Sequence, residues 1–349
     1  MPDENKRKTD PRFFFKTVYQ KFQQAEKSTS HLSKCFFRIG DSTICFRFAG
    51  SGLKPQMLPA IEHMMVPANA QADLTICAFD TDTTKINIPD PPWSSTLERG
   101  TLPGYSDKRI STAFFIDSCI LAMLNMDKHL AVYWIKNSKN LPYNERCFPA
   151  RALLHWWFRH NKKQIAHAAA VGTPEGGILL AGKRGSGKST TALSCLNTDL
   201  MYAGDDYILL SLNNPPRVYS LSSSAKLNPD SLKKLSLSMP RLGVREKINN
   251  KSIVFVNSHY PEKIISSFPL KAVFIPAITT REKTKLIEIS PAKALLSIAP
   301  STVIPLPGTD SRDFDYLGDL VSKVPNYIIE LSNNAEEIAD CIKVFLSKH

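Results

Sequence analysis

Ten residues, AGKRGSGKST (Ala181–Thr190), carry the side chains with the clearest chemistry in this sequence. Gly182, Gly187, Lys188 and Ser189 fall at the spacing G-x-x-x-x-G-K-S, which suits the phosphates of a nucleotide. The glycines let the backbone curl until successive N–H groups point inward at phosphate oxygens. Gly182, Lys183, Arg184, Gly185, Ser186, Gly187, Lys188, Ser189 and Thr190 are all expected to line that cradle. Lys188 is expected to reach the β- and γ-phosphates, and the Ser189 hydroxyl to ligate Mg²⁺. The flanks agree. The apolar run GGILLAG before the loop reads as a buried strand, and KSTTALSCL after it has apolar residues at helical spacing. A helix N-terminus there would also favour phosphate.

Two further stretches bring side chains toward this loop. IAHAAAVGTPEGGILLAG has two apolar runs flanking a turn-rich GTPEGG, the pattern of a hairpin. Paired residues in an antiparallel ladder keep a constant sum. Pairing Val171 with Ile178 therefore sets His167 opposite Gly182, at the mouth of the loop. His167 is then either a phosphate-contacting group or a structural strand residue, and spacing alone leaves both open. Next, LMYAGDDYILL sets Asp205 and Asp206 at the start of an apolar β-like run, one short helix and a turn beyond Ser189. Phosphoryl transfer needs two carboxylate jobs, orienting the metal and accepting the proton of the attacking hydroxyl. Adjacent strand residues face opposite ways, so the pair could divide those jobs. A solvated Asp-Asp turn is the plainer alternative.

His167, the loop from Gly182 to Ser189 and the GDD sequence one short helix later together resemble the catalytic domain of the HPr kinase/phosphorylase family. The family pattern is a strand histidine, a loop closing on Gly-Lys-Ser, and Ala-Asp-Asp. The likeness is strong over about 165–212 and loose beyond. It implies a P-loop core shared with phosphoenolpyruvate carboxykinases, with ATP and Mg²⁺ as cofactors. It implies a protein or peptide serine as acceptor. By the same resemblance His167 is the active-site histidine, Lys188 the phosphate-binding lysine and Ser189 the metal-ligating serine. Asp206 is then the proton acceptor and Asp205 its neighbour near the metal. The family's downstream signature, an acid followed by Arg-Gly-Leu-Gly, is absent. The nearest stretch is PRLGVRE, containing Arg241, Leu242 and Gly243, so the resemblance names no second metal ligand and leaves phosphorolysis open. The N-terminal part shows no match to the family's N-terminal domain, which points to an acceptor other than HPr.

The elements that must position these groups fit an α/β fold of two domains. At 349 residues the chain has room for both. Residues 1–28 read as a polar tail or first helix, with an amphipathic FFFKTVYQKF. Residues 29–148 read as an α+β unit rich in antiparallel strands. CFFRIGDSTICFRFAG is a strand, a Gly40-Asp41 turn and a strand. PQMLPAIEHMM is a short helix, ADLTICAFD a strand and PDPPWSS a loop. FFIDSCILAMLNMDKHLAVYWIK reads as helix then strand. Residues 149–349 read as the HPr-kinase-like catalytic domain. It opens on a helix whose buried stripe is Ala150, Leu153, Leu154, Trp157 and Phe158, with His155 and the tryptophans as packing residues. Asn228, Pro229 and Asp230 form a helix start, with Lys226 just before it as either a phosphate contact or a solvated lysine. KSIVFV, LKAVFIPAI and NYIIEL read as strands, and PAKALLSIA and AEEIADCIKVFLSK as helices. Arg245 or Arg312 could serve as a charge-stabilising arginine.

Composition narrows the classes. No apolar run approaches the roughly 18 residues of a membrane span, and the charged N-terminus lacks a signal-peptide core. Seven scattered cysteines form no C-x-x-C pair, which argues against a disulfide framework or structural zinc and for the cytoplasm. The net charge of +12 is spread along the chain, which favours a solvated surface over a nucleic-acid partner. A homo-oligomer is left open. Two rivals to the kinase remain: a P-loop ATPase or small-molecule kinase, and a non-enzymatic nucleotide-binding module. A transporter-type ATPase fits less well, because the apolar run follows the acids and no Leu-Ser-Gly-Gly sequence occurs.

Overall fold

A computed structural model of the chain describes residues 10–68, 70–90, 100, 102, 104–230, 232–233, 243–244, 246–248, 251–303 and 306–349. The chain divides into two compact units. The first runs to Asn161 and takes in Leu306–Gly308, and the second holds Lys162–Pro305 and Thr309–His349. The division thus falls between Asn161 and Lys162, later than the boundary near 148 that the sequence suggests. The polar tail before residue 10, most of the PDPPWSS loop, and Arg241, Leu242 and Arg245 lie outside the described residues.

The first unit is a mixed α/β layer. Helix α1 (Pro11–Ser28) starts where Asp10 accepts a hydrogen bond from Arg12 N. It buries Phe14, Phe15, Val18, Phe22 and Ala25 in a cluster with Cys77, Phe79 and Trp134 of the sheet. Strands β1 (Leu32–Ile39) and β2 (Ser42–Ala49) pair from Ile39–Ser42 outward around the expected Gly40-Asp41 turn. Helix α2 (Lys54–Ile61), β3 (Met65–Val66) and β4 (Leu74–Asp80) follow, then β5 (Ile110–Phe115), β6 (Ile120–Asn125) and β7 (Leu130–Ile135). The sheet order is β3-β1-β2-β4-β7-β6-β5. Its centre differs from the antiparallel expectation, because β2–β4 and β4–β7 are parallel.

The stretch expected to begin as a helix is instead the β6–β7 hairpin and the end of β5. All six residues of β6 are buried. A strand covered on both faces has no polar alternation, and an apolar run of that length does not distinguish strand from helix. Helix α3 (Arg151–His160) is also more deeply packed than a single stripe: Ala152 through Phe158 are all buried, and Ala150 precedes the helix in a left-handed conformation.

His155 on α3 is 1% exposed, and neither ring nitrogen has a hydrogen-bond partner. Burial, with help from Arg159 and Arg151, pushes its pKa down to about 3. A group whose folded pKa lies below its unfolded value near 6.5 leaves stability intact above that pH and removes it as the pH falls toward 3. The loss at pH 5 is on the order of 2 kcal/mol, at roughly 1.4 kcal/mol per pH unit. His155→Leu is expected to be more stable than wild type at pH 5 and to flatten the pH dependence. Urea midpoints at pH 5 and pH 8 measure this, and parallel pH profiles for the two proteins contradict it.

The second unit is a mixed sheet with helices on both faces. Its strands are β8 (Lys163–Ala166), β9 (Ala168–Thr173), β10 (Gly176–Ala181), β11 (Met201–Gly204), β12 (Ile208–Ser211), β13 (Arg217–Tyr219), β17 (Ser267–Ile278), β18 (Lys285–Glu288) and β19 (Asn326–Leu331). The order is β11-β9-β10-β17-β13-β12-β8, with β19 beside β17 and β18 beside β19. Strand β17 is twelve residues long. Its first part pairs antiparallel with β13, and its later part runs parallel to β10 and β19. Strands β14 (Ser224–Leu227), β15 (Glu246–Ile248) and β16 (Lys251–Phe255) form a separate small antiparallel sheet. Helices α4 (Lys188–Ser194) and α7 (Ala335–Leu346) cover one face through Ala192, Leu193, Ile338, Ile342 and Phe345. Helices α5 (Pro291–Val303) and α6 (Ser311–Lys323) cover the other through Ala294, Ile298, Leu317, Leu320 and Val321. Every strand and helix expected from KSIVFV onward is found. Among the described residues no helix is long and apolar enough to cross a membrane.

Candidate active site

The hairpin register is the one the sequence suggests. Val171 pairs with Ile178 and Ala168 with Ala181, so His167 and Gly182 leave the ladder together at its open end. Beyond Ala181 the chain curls through the glycine-rich loop into α4. Gly187 sits at φ +104°, a conformation that strains any residue with a Cβ, and a Cβ there would also push against Leu331 Cδ1 at 2.8 Å.

His167 and the aspartates meet at a break shared by two neighbouring chain stretches. Strand β8 runs into β9 with only His167 between them, and β11 runs into β12 through Asp205, Asp206 and Tyr207. Ala166 pairs with Ile208 on one side of the break and Ala170 with Gly204 on the other, leaving 167–169 facing 205–207 without ladder bonds. Asp205 and Asp206 therefore lie in a bend rather than in a strand, and β9 stands between β11 and β10. Asp206 adopts φ +72°, a left-handed conformation that costs a non-glycine residue about 1–3 kcal/mol.

Each carboxylate has its own neighbours. Asp205 is 3% exposed and accepts a hydrogen bond from the Ser189 hydroxyl. Asp206 Oδ1 lies 3.2 Å from His167 Nε2, and Oδ2 accepts from Lys226 Nζ. The His167 ring meets the Tyr207 ring edge-on at 5.7 Å, and its backbone N donates to the buried Thr302 hydroxyl of α5. Lys188 is buried and donates to the carbonyls of Gly182 at 2.8 Å and Lys183 at 3.2 Å, inside its own loop.

Electrostatics divides the pair. Burial, reinforced by the charge on Asp206, raises the Asp205 pKa. Burial would raise Asp206 too, but the hydrogen bond from His167 and the Lys226 charge outweigh it and hold that carboxyl well below the usual range. Two carboxylates pushed in opposite directions are suited to different tasks. Burial lowers the Lys188 pKa, against the opposing pull of Asp205 and Asp206.

These groups line one cleft of about 270 Å³. His167, Arg184, Gly185, Gly187, Lys188, Ser189, Thr190, Asp205 and Asp206 form its expected walls. Lys226, Asn228, Lys251 and Ile278 complete it. A phosphate contact was one of two readings of Lys226 in the sequence, Asn228 was read only as a helix start, and Lys251 and Ile278 carried no signal. Strand β14 pairs with β16 so that Lys226 stands opposite Ile253, which brings Asn228 to the start of β16 beside Lys251. Of the arginine candidates, Arg312 pairs with Asp310 at the start of α6 and does not line the cleft. Gly182, Lys183 and Ser186 line a second cavity on the other side of the loop.

The donor set suits a magnesium ion brought with a polyphosphate. Among the described residues no group of three or more His, Cys, Asp or Glu side chains could hold a metal alone. Ser189 Oγ and the Asp205 carboxylate offer two oxygen ligands, and Mg²⁺ in phosphoryl sites is held by one or two protein groups plus phosphate and water.

No protein-family model matches the chain, and no curated protein matches it. Among solved structures, the Hpr(Ser) kinase/phosphatase from Coxiella burnetii is similar. It is 12% identical, with a match covering 53% of this chain and 90% of that one at a TM-score of 0.31. This is a distant likeness of fold.

Proposed function

We propose that this chain is an ATP-dependent kinase that passes the γ-phosphoryl group to a serine hydroxyl of a protein or peptide. The observation that carries the reading is Asp206, held as a carboxylate by Lys226 and His167 on the wall of the cleft that the glycine-rich loop and the Ser189–Asp205 pair also line. The loop N–H groups and Lys188 would bind the phosphates. Among the described residues, four cations, Arg184, Lys188, Lys226 and Lys251, face two carboxylates in that cleft, a surplus that suits a nucleoside triphosphate. Mg²⁺, when bound, would draw charge from the β- and γ-phosphate oxygens. Asp206 would orient the acceptor hydroxyl toward phosphorus. As the oxygen–phosphorus bond forms and the bond to the β–γ bridging oxygen breaks, ADP leaves and the hydroxyl proton passes to Asp206. A carboxylate this ionised is a weak base toward a ground-state hydroxyl. It suffices because in a loose transition state the proton becomes acidic only late.

The test is γ-labelled ATP incubated with the protein and lysate of its own host. A labelled protein or peptide that is missing with Lys188→Ala and Asp206→Asn supports the kinase. Free phosphate alone identifies an ATPase, and binding without turnover a nucleotide-binding module. A further result is expected from Lys226→Met. A depressed folded pKa means that the Lys226 pairing stabilises the fold above the usual carboxylate range, near pH 4, and that this contribution is lost as the pH falls through the folded value. Removing the ammonium lets the Asp206 pKa rise, so the acid limb of the pH–rate profile moves to higher pH. A limb that stays in place contradicts the pairing.

A further inference from the structure

Behind the glycine-rich loop lies a second cavity, of about 540 Å³, within the range of about 300–1,000 Å³ typical of small-molecule sites. It shares Arg184 with the cationic cleft, so the two spaces flank the same loop. The loop start packs toward its floor: a Cβ on Gly182 would stand 3.6 Å from Ile275. Its lining is more apolar than the cleft's, although Lys183 and Arg184 of the loop also reach it. Ile275 and Pro276 of β17 and Leu296 and Pro300 of α5 supply apolar walls. Leu296 is 71% exposed, an apolar side chain left open to solvent at the rim.

The polar side chains are those of Lys183, Arg184 and three serines. Ser297 Oγ donates to Lys293 O and Ser301 Oγ to Ile298 O, so both hydroxyl protons are committed and only oxygen lone pairs remain to offer. Ser186 Oγ has no hydrogen-bond partner, although the residue is only 8% exposed. A buried hydroxyl without a partner in an apolar cavity calls for a ligand group or water to satisfy it. Among the described residues no carboxylate lines the cavity, so its acceptors are neutral serine oxygens, which do not distinguish one purine edge from another.

We infer that this cavity binds the purine nucleoside half of the nucleotide whose phosphates occupy the cleft. The inference rests on the nucleotide-binding part of the proposed function. The base lies between the α5 face and β17 and is held by its flat faces. The Ser186 hydroxyl meets a base or ribose polar atom, and Arg184 spans the junction of the two spaces. Recognition by faces rather than edges makes the site tolerant of adenine and guanine alike.

Calorimetric titration of the full chain with magnesium tripolyphosphate and magnesium ATP tests this. Tripolyphosphate carries the charge without the nucleoside. ATP is expected to bind roughly 10- to 100-fold more tightly, the size of base-stacking contributions at protein sites. Ser297→Trp fills the cavity and Leu296→Asp charges its rim. Each is expected to lower ATP and GTP affinity about tenfold or more while leaving tripolyphosphate within a few-fold. ATP and tripolyphosphate binding equally well to wild type overturns the nucleoside site and leaves the phosphate-binding reading standing. So does unchanged ATP affinity in both variants. A parallel loss of both ligands in the variants means a distorted loop and also overturns it. Wild type binding neither ligand overturns the proposed function and the nucleoside site together.

Discussion

Asp206→Asn is expected to lower phosphoryl transfer by about 10²–10⁴-fold, the contribution of a positioned proton acceptor. The amide keeps the shape of the carboxylate and can still accept a hydrogen bond from Lys226. It no longer takes a proton, and the negative charge that answers Lys226 and His167 is gone. Nucleotide affinity should hold or tighten, because a negative charge beside the terminal phosphate has been removed. Single-turnover transfer from γ-labelled ATP to the acceptor found in lysate, with nucleotide affinity measured in parallel, separates the two effects. A variant that keeps more than about a tenth of wild-type transfer denies Asp206 the role of proton acceptor.

Lys188→Ala is expected to weaken nucleotide binding by about 10- to 100-fold, the value of a charged hydrogen bond at about 1.5–3 kcal/mol, and to remove transfer. Its effect on folding should have the opposite sign. The Lys188 ammonium is buried, and burial lowers its pKa, so the folded chain is paying to keep the charge there. In this structure its partners are two loop carbonyls, Gly182 O and Lys183 O, rather than a carboxylate. Removing it should leave the thermal midpoint unchanged or raised. A residue whose loss spares the fold and weakens binding is held for function. A variant that binds nucleotide normally, or one that unfolds, contradicts this account of Lys188.

What the sequence made legible follows from how local each signal is. The glycine-rich loop is a contiguous string, and its spacing alone identifies it. His167 could be placed because a hairpin fixes its own register: once Val171 faces Ile178, the mouth of the ladder is determined. The aspartate pair was legible as chemistry but not as geometry. No spacing rule foretold the bend, the left-handed Asp206 or the intervening β9. Lys251 and Thr302 were silent, and Asn228 showed only as a helix start, for another reason. Each reaches the site through a pairing or packing with a distant segment, β14 on β16 or α5 against the β8–β9 break. Burial misled the reading of β6, where six covered residues erased the alternation that marks a strand.

In the proposed reaction an imidazole, an ammonium and a carboxylate from separate segments surround the terminal phosphoryl of one nucleotide. A crystal structure with Mg²⁺ and a non-hydrolysable ATP analogue tests it most directly. The expected result is phosphates wrapped by Gly182–Ser189, the metal on Ser189 and Asp205, Lys188 released from its loop carbonyls onto the phosphates, and Asp206 within one bridging water of the γ-phosphorus. A nucleotide bound elsewhere, or Asp206 turned away from that phosphorus into solvent, would contradict it.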